Sequence, residues 1–144
     1  MKVEIKKLHP KVNLPTYESK GASGVDLRAF INEHIIIHPN TSRIVPTGLS
    51  LAIPSECEIQ IRPRSGLAAK SNITVLNTPG TIDSDYRGEI KVIIFNHGDK
   101  DFTVNNKDRI AQIILTPVKK IEFKETSELP KTIRGEGGFG STGK

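Results

Sequence analysis

The sequence is poor in the residues that mark secreted, membrane-spanning or nucleic-acid-binding chains. It has one cysteine, Cys57, so no disulfide can form within the chain. No apolar run approaches the roughly 20 residues that a membrane-spanning helix needs. Aromatic residues make up 5% of the chain and tryptophan is absent, which leaves little material for stacking on bases. Together with the polar start MKVEIKK, these shortages predict a cytoplasmic protein that neither enters membranes nor binds nucleic acid directly.

The charge of the chain is modestly positive. There are 21 Lys and Arg against 16 Asp and Glu, a formal charge of +5, and no polybasic block marks a duplex-binding surface. Such a charge favours a compact polyanion, for example a nucleoside triphosphate, whose local concentration rises in a basic cleft. The 144 residues suffice for one domain that removes about 70% of its unfolded surface from water.

Short β-rich runs, spaced near ten residues apart, predict an all-β sandwich or barrel. The runs cover residues 35–37, 43–51, 57–62, 90–95, 102–104 and 119–123. The run 110–115 is apolar on both faces apart from Gln112, which predicts a buried central strand. Helical periodicity is confined to a turn or two over residues 66–71.

The segment 76–89, LNTPGTIDSDYRGE, is the strongest candidate for catalysis. Pro79 and Gly80 predict a tight loop, because proline fixes its φ and glycine tolerates a positive φ. Asp83 follows just before the apolar run 90–95, and a carboxylate on a rigid support suits the general base of a hydrolase. The alternative is an ordinary acidic turn between strands.

A second candidate lies in the segment 62–68, RPRSGLA, which follows a predicted strand and begins the short helix. Arginine forks and the free N–H groups of a first helical turn both suit phosphate. The segment therefore predicts a phosphate cradle that includes Arg64, Ser65 and Gly66, with a polar surface loop as the alternative.

Two polar residues stand in predicted strands. Asp26 is flanked by Val25 and Leu27, so it points to the opposite face and needs a partner if that face is buried. A cation, a metal-bound water or a backbone N–H would each serve. Gln112 is either a satisfied core amide or a ligand contact.

The end of the chain is too rich in glycine to build a core. It nevertheless contains Arg134, whose guanidinium can bind an anion through two N–H groups, and Phe139, which has an apolar ring. A disordered tail has no use for either residue. We therefore expect residues 131–144 to form a flexible arm that closes over a ligand, beyond a core domain of residues 1–130.

Taken in order, five segments resemble the five motifs of the trimeric dUTP diphosphatase (dUTPase) family. They are ASGVDL at 22–27, RPRSGLA at 62–68, NTPGTIDSDYRGEI at 77–90, DRIAQIIL at 108–115 and RGEGGFGSTG at 134–143. The resemblance implies a jelly-roll-like antiparallel subunit and a homotrimer with active sites at its subunit interfaces. It also implies Mg²⁺-dependent hydrolysis of dUTP to dUMP and pyrophosphate, which keeps uracil out of DNA and supplies dUMP for dTMP synthesis.

The resemblance further implies roles around the phosphates. Asp83 matches the acid that orients and deprotonates the attacking water, and Asp26 matches the acid placed near the metal and its waters. The phosphate contacts implied are Arg64, Ser65, Gly66, Gln112, Arg134, Ser141 and Thr142.

Other roles concern the nucleoside. Asn77 matches a pyrimidine-reading position at the mouth of a β-hairpin, Tyr86 the ring that lies under the deoxyribose, and Phe139 the ring that stacks on uracil. Further substrate contacts implied are Gly80, Thr81, Ile82 and Gly140.

The alternatives are three other functions. A dCTP deaminase of the related fold tends to be longer and lacks this glycine-rich arm. A non-catalytic nucleotide sensor should have lost Asp83 or the arm, and this chain keeps both. A structural protein without a ligand leaves Arg134 and Phe139 without a purpose.

Overall fold

The structure, a computed structural model, describes residues 1–140. Within them the chain forms eleven strands and one short helix. The elements are β1 (Glu4–Lys7), β2 (Val25–Arg28), β3 (Ile35–Ile37), β4 (Ser42–Pro46), β5 (Leu49–Ala52), β6 (Cys57–Arg62), α1 (Ser65–Ser71), β7 (Ile73–Val75), β8 (Gly80–Ile82), β9 (Lys91–Asn96), β10 (Phe102–Val104) and β11 (Arg109–Pro117). No helix among the described residues is long and apolar enough to cross a lipid bilayer.

All the strand pairs are antiparallel. The largest sheet has the order β2-β11-β6-β8, and a second has the order β4-β9-β7. Two further pairs, β1-β5 and β10-β3, complete the described sheets. Strands that are distant in sequence are therefore neighbours, and the described sheets are those of an all-β protein.

Alternation of side chains builds the core between the sheets. On β6, Cys57, Ile59 and Ile61 are buried while the residues between them are less so. On β9, Val92 and Ile94 are buried in the same alternating manner. This period of two is that of a strand with one face on the core, and it made β6 predictable to the residue.

The predicted run 43–51 is two strands rather than one. Between β4 and β5 lies Gly48, whose φ of +68° is in the left-handed region. A Cβ at Gly48 would also press on Val12 and Phe30. The chain therefore turns sharply at a point that only glycine fits, and β4 and β5 enter different sheets.

Two other strand predictions need correction. Central β11 is buried on both faces only at Ile110 and Ala111, and residues 113–115 are half-buried in the isolated chain. The predicted strand 119–123 is absent, since Ile121 and Phe123 are exposed by 74% and 88% and lie in irregular chain. Ile113 and Leu115 still pack against the core, whereas Ile121 and Phe123 leave most of their surface exposed in the single chain.

Candidate active site

Asp26 lies at the centre of an ionic cluster on the largest sheet. Its Oδ1 accepts a hydrogen bond from Arg64 Nε at 2.9 Å, and its Oδ2 accepts one from Arg109 Nη1 at 3.2 Å. The Asp26 side chain is only 15% exposed, so it needs these partners. Of the partners that the sequence left open, the structure provides two guanidinium cations.

Arg109 belongs to this cluster, although no local pattern in the sequence singles it out. It lies on β11 opposite Arg28, and Asp26 is two residues away along β2. Glu18 Oε1 lies 3.8 Å from Arg109 and 4.0 Å from Arg28, which extends the cluster. The signal was a basic residue on the strand next to Asp26, diagonal to it in the register, and it could be used only once that register was known.

Gln112 joins three of the motifs. It pairs with Asp26 on β2 and with Arg62 on β6. Its side-chain Nε2 donates to the carbonyl of Pro63 at 2.9 Å. Its Oε1 lies against Gly24, where any Cβ would collide with it. Segments 22–27, 62–68 and 108–115 therefore meet at one place in a single chain.

The start of α1 faces the same cluster through Arg64, its N-cap residue. No side chain caps this end, and the first turn has no acidic residue. The carbonyl of Arg64 accepts from the N–H groups of Leu67 and Ala68, which leaves those of Ser65 and Gly66 without a partner in residues 1–140. Both residues are exposed, so free N–H groups are available beside two arginines, an arrangement suited to an anion.

The segment 76–89 forms a separate group. Asn77 lies in an exposed turn after β7, and its side chain packs against Gly80. β7 pairs with β9 and β8 pairs with β6, so Asn77 lies between two sheets and not at the mouth of one hairpin, which corrects that expectation. Thr81 and Ile82, on β8, pair with Gln60 and Ile59 of β6.

Asp83 directly follows β8 and is exposed, as are most of its neighbours. Its backbone carbonyl accepts from the N–H of Tyr86 at 3.1 Å, while its carboxylate has no hydrogen-bond partner in residues 1–140. The Tyr86 hydroxyl donates to the carbonyl of Glu89 at 3.0 Å. Both residues line a groove of about 400 Å³, together with Ile44, Thr81, Ile82, Glu89, Lys91 and Ile93.

These two groups are not joined by hydrogen bonds or ion pairs within one described chain. Among residues 1–140, no hydrogen bond or ion pair joins Asp83 or Tyr86 to Asp26, Arg64 or Gln112. The two carboxylates also differ, because that of Asp26 is held by two arginines and that of Asp83 is open to solvent. An open carboxylate can accept a hydrogen bond from water.

The arm is the third separate part. Arg134 Nε donates to the carbonyl of Gly137 at 2.7 Å, and Gly135 N donates to Thr132 at 3.1 Å. Phe139 is fully exposed, and Gly140 has a φ of +86°. The described hydrogen bonds of residues 126–140 stay within that segment. Ser141 and Thr142 lie outside the described residues.

Residues 1–140 offer no set of side chains that would bind a metal ion directly. The described residues contain no group of three or more His, Cys, Asp and Glu side chains able to hold an ion. A hydrated Mg²⁺ needs fewer protein ligands, since it keeps several waters and binds one or two carboxylates together with substrate phosphates. Asp26 could accept hydrogen bonds from the waters of such an ion, because a carboxylate has about four acceptor sites and the two arginines use two of them.

Comparison with known proteins agrees with the geometry. A family model described as dUTPase matches residues 10–143. The deoxyuridine 5'-triphosphate nucleotidohydrolase of Nautilia profundicola is 53% identical over 144 residues, covering 100% of both chains. The protein of the same name from Syntrophotalea carbinolica is 51% identical over 141 residues, 98% of this chain and 96% of its own.

Solved structures agree in fold. The dUTPase of Staphylococcus bacteriophage 80alpha, with dUPNHPP, has a TM-score of 0.88 at 23% identity and covers 99% of this chain and 98% of its own. A mutant dUTPase of phage phi11 of S. aureus, described with a structural Mg(II) ion, has a TM-score of 0.79 at 19% identity, covering 89% and 98%.

The likeness to these structures confirms the predicted jelly-roll-like fold. Because a family model spans nearly all of the sequence, and relatives more than half identical align along nearly its whole length, this chain belongs to the dUTPase family.

Proposed function

We propose that this chain hydrolyses dUTP to dUMP and pyrophosphate through in-line attack of a water that Asp83 activates, with Mg²⁺ bound to the substrate. Family membership identifies the chain as a hydrolase that acts on dUTP. The observation that carries the proposed mechanism is the contrast between Asp26 and Asp83. Asp26 is engaged by two guanidiniums, whereas the Asp83 carboxylate is unpaired within residues 1–140, at the edge of a rigid strand and beside an open groove.

Asp83 acts as the general base. It holds the attacking water in line with the α-phosphorus and accepts its proton as the new phosphorus–oxygen bond forms and pyrophosphate leaves. Its attachment to β8 constrains the backbone that carries the carboxylate before the substrate arrives, so less reorganisation is needed.

The phosphates bind at the ionic cluster. Arg64 uses its Nε for Asp26, and its Nη2 makes no hydrogen bond within residues 1–140. Its planar fork can therefore still meet a phosphate oxygen. The N–H groups of Ser65 and Gly66 and the Gln112 side chain add donors, and Arg134, Ser141 and Thr142 bring further donors from the arm. Mg²⁺, held through water by Asp26, would neutralise triphosphate charge and polarise the phosphoryl group.

The nucleoside is read by the segment 76–89. Asn77, Gly80, Thr81 and Ile82 present backbone groups to the edge of uracil. Pairing with backbone donors and acceptors rejects cytosine strongly, because a wrong exocyclic group leaves buried polar groups unpaired. The ring of Tyr86 packs under the deoxyribose and excludes a ribose 2′-hydroxyl by its bulk. Phe139 stacks on the base, and Gly140 lets the arm close over it.

A homotrimer brings these parts together. In one chain no described hydrogen bond or ion pair joins the phosphate cluster to the Asp83 group, and the described hydrogen bonds of the arm stay within it. Exposed apolar side chains, including Ile44, Leu76, Ile121 and Phe123, are available for burial between subunits. Three-fold symmetry then places three sites at the subunit interfaces, each closed by an arm of residues 131–144 on a core of residues 1–130.

In the cell this activity keeps uracil out of DNA and supplies dUMP for dTMP synthesis. The setting is cytoplasmic, with dUTP as the substrate and no direct contact with nucleic acid. The modest net charge of +5, spread along the chain, suits a small anionic substrate better than a duplex.

The test is pyrophosphate release from dUTP, UTP, dCTP and dTTP, each with Mg²⁺ and with EDTA. We expect rapid turnover of dUTP alone, and its loss in EDTA. Binding of dUTP without turnover of any substrate would favour a nucleotide sensor, and ammonia release from dCTP would favour a deaminase.

A further inference from the structure

The ring of Tyr86 is held against the backbone that follows it. Its hydroxyl donates to the carbonyl of Glu89 at 3.0 Å. A Cβ at Gly88 would overlap the Oη, Cζ and Cε2 atoms of the ring. The ring therefore lies directly over the α-carbon of Gly88, in space that any other residue would occupy. Tyr86 is 45% exposed, so these contacts fix a ring that the core does not surround.

Glu89 is in turn anchored to the turn between β4 and β5. Its Oε1 accepts a hydrogen bond from the backbone N–H of Gly48 at 2.9 Å. Its Oε2 lies 3.7 Å from Lys91 Nζ, and the side chain is 24% exposed. The carboxylate of Glu89 thus points inward to a backbone donor, although the residue lines the same groove as Asp83 and Tyr86.

The turn that receives Glu89 is rigid. Gly48 is buried and has a positive φ. Next to it, the buried Thr47 hydroxyl donates to the carbonyl of Ile90 at 2.7 Å, and Ile90 N donates to the carbonyl of Leu49 at 2.8 Å. Three hydrogen bonds therefore fasten residues 89–90 to the turn 47–49, and one of them depends on the Glu89 side chain.

From these contacts we propose that Glu89, with Gly88, is a positioning residue that sets the discrimination between deoxyribose and ribose. This inference rests on the proposed sugar-reading role of Tyr86. Exclusion of a hydroxyl by bulk requires the ring to stay within a fraction of an ångström of its place. The hydrogen bond from Gly48 N to the Glu89 carboxylate fixes the backbone of Glu89. The backbone carbonyl of Glu89 then accepts from the Tyr86 hydroxyl, and the missing side chain of Gly88 leaves room for the Tyr86 ring.

The experiment measures kcat/KM for dUTP and for UTP, and takes their ratio. Glu89→Ala should lower the ratio by about tenfold to a hundredfold, the cost of a misplaced positioning group. Glu89→Gln keeps a side-chain oxygen that can accept from Gly48 N, so its ratio should stay within about threefold of the parent. Glu33→Ala removes an exposed glutamate that makes no described hydrogen bond or ion pair, and it serves as the matched control.

Two further variants separate positioning from stability. Tyr86→Phe removes only the hydroxyl and should lower the ratio as Glu89→Ala does. The double variant should lose no more than about twofold beyond Glu89→Ala, because both changes break one chain of contacts. A merely structural role for Glu89 would lower the thermal midpoint and leave the ratio unchanged. That result overturns the proposal, and if Glu89→Ala does not fold, an unchanged ratio in Tyr86→Phe overturns it instead.

Tyr86→Ala distinguishes failure of this inference from failure of the proposed sugar-reading role. If Tyr86→Ala retains full discrimination, Tyr86 does not read the sugar, and both ideas are wrong. If Tyr86→Ala loses discrimination while Glu89→Ala and Tyr86→Phe keep it, the sugar-reading role stands and positioning by Glu89 is wrong. Loss of discrimination in all three supports the inference.

Discussion

Arg64 Nε donates to Asp26 Oδ1 at 2.9 Å, across a separation of 38 residues. This contact ties the start of α1 to β2, and Arg109 completes it from β11 on the other carboxylate oxygen. One acid therefore orients two arginines that would otherwise repel each other. In the proposed reaction the same arrangement keeps positive charge in place before a triphosphate arrives, which is the preorganisation that lowers the cost of binding charge in the transition state.

The first prediction concerns this acid. Asp26→Asn removes the charge between Arg64 and Arg109, and the amide offers a donor where the carboxylate offered an acceptor. We expect the free energy of unfolding to fall by about 1–3 kcal/mol. Chemical denaturation at a fixed protein concentration measures it. Glu18→Gln is the control, since its contacts are longer and exposed, and it should cost less than about 1 kcal/mol. If Asp26→Asn and Glu18→Gln lost equal free energies of unfolding, the idea that Asp26 holds the ionic cluster together would be wrong.

The second prediction concerns the general base. Asp83→Asn should lower kcat for dUTP by about a hundredfold or more while binding of dUTP changes little, because only proton acceptance is removed. Steady-state kinetics and calorimetric titration with a non-hydrolysable dUTP analogue measure the two effects. Asp85→Asn, a change of the same kind two residues away, should stay within about threefold of the parent. Near-normal turnover in Asp83→Asn would mean that another group activates the water.

Much of the strand layout was predictable, because it depends on local patterns. The alternation in 57–62 and the short run 102–104 predicted β6 and β10 with the observed bounds. Asp26 was expected to need a partner, and it has two. The helix predicted at 66–71 is observed as Ser65–Ser71. The strand and helix bounds follow from the sequence within a few residues, and so does the need of Asp26 for a partner, but the identity of its two partners does not.

The remaining differences depend on what lies across space. Arg109 forms an ion pair with Asp26 because the strand register brings β11 beside β2, and no local pattern reveals that register. The run 119–123 has the composition of a strand, but a strand needs a partner to bond with, and the single chain offers none that is described. The sharp turn at Gly48 divided a run that looked continuous, because one glycine in a β-rich stretch gives no sign of the φ it will adopt.

The third prediction concerns Gly24. Gly24→Ala places a methyl group where the Gln112 side chain now lies, and this flexible side chain must move away. Gln112 then loses its hydrogen bond to Pro63, so we expect kcat/KM for dUTP to fall by about tenfold while the protein stays folded. Gly21→Ala is the matched control, because a Cβ there meets nothing within 4 Å. The placement of Gln112 at the phosphates is wrong if both variants keep full activity.

The fourth prediction concerns the arm. Deletion of residues 134–144 should leave the proposed trimer folded but catalytically poor, because the described arm makes hydrogen bonds only within itself and contributes no buried apolar side chain. Sedimentation gives the oligomeric state, and kcat/KM for dUTP gives the activity. Arg134→Ala should reproduce part of the loss, because it removes one guanidinium that binds phosphate. Lys131→Ala changes a nearby basic residue, and its kcat/KM should stay within about twofold of the parent. If deletion instead dissociates the trimer, the arm is a structural strap between subunits, and its role as a lid over the nucleotide is wrong.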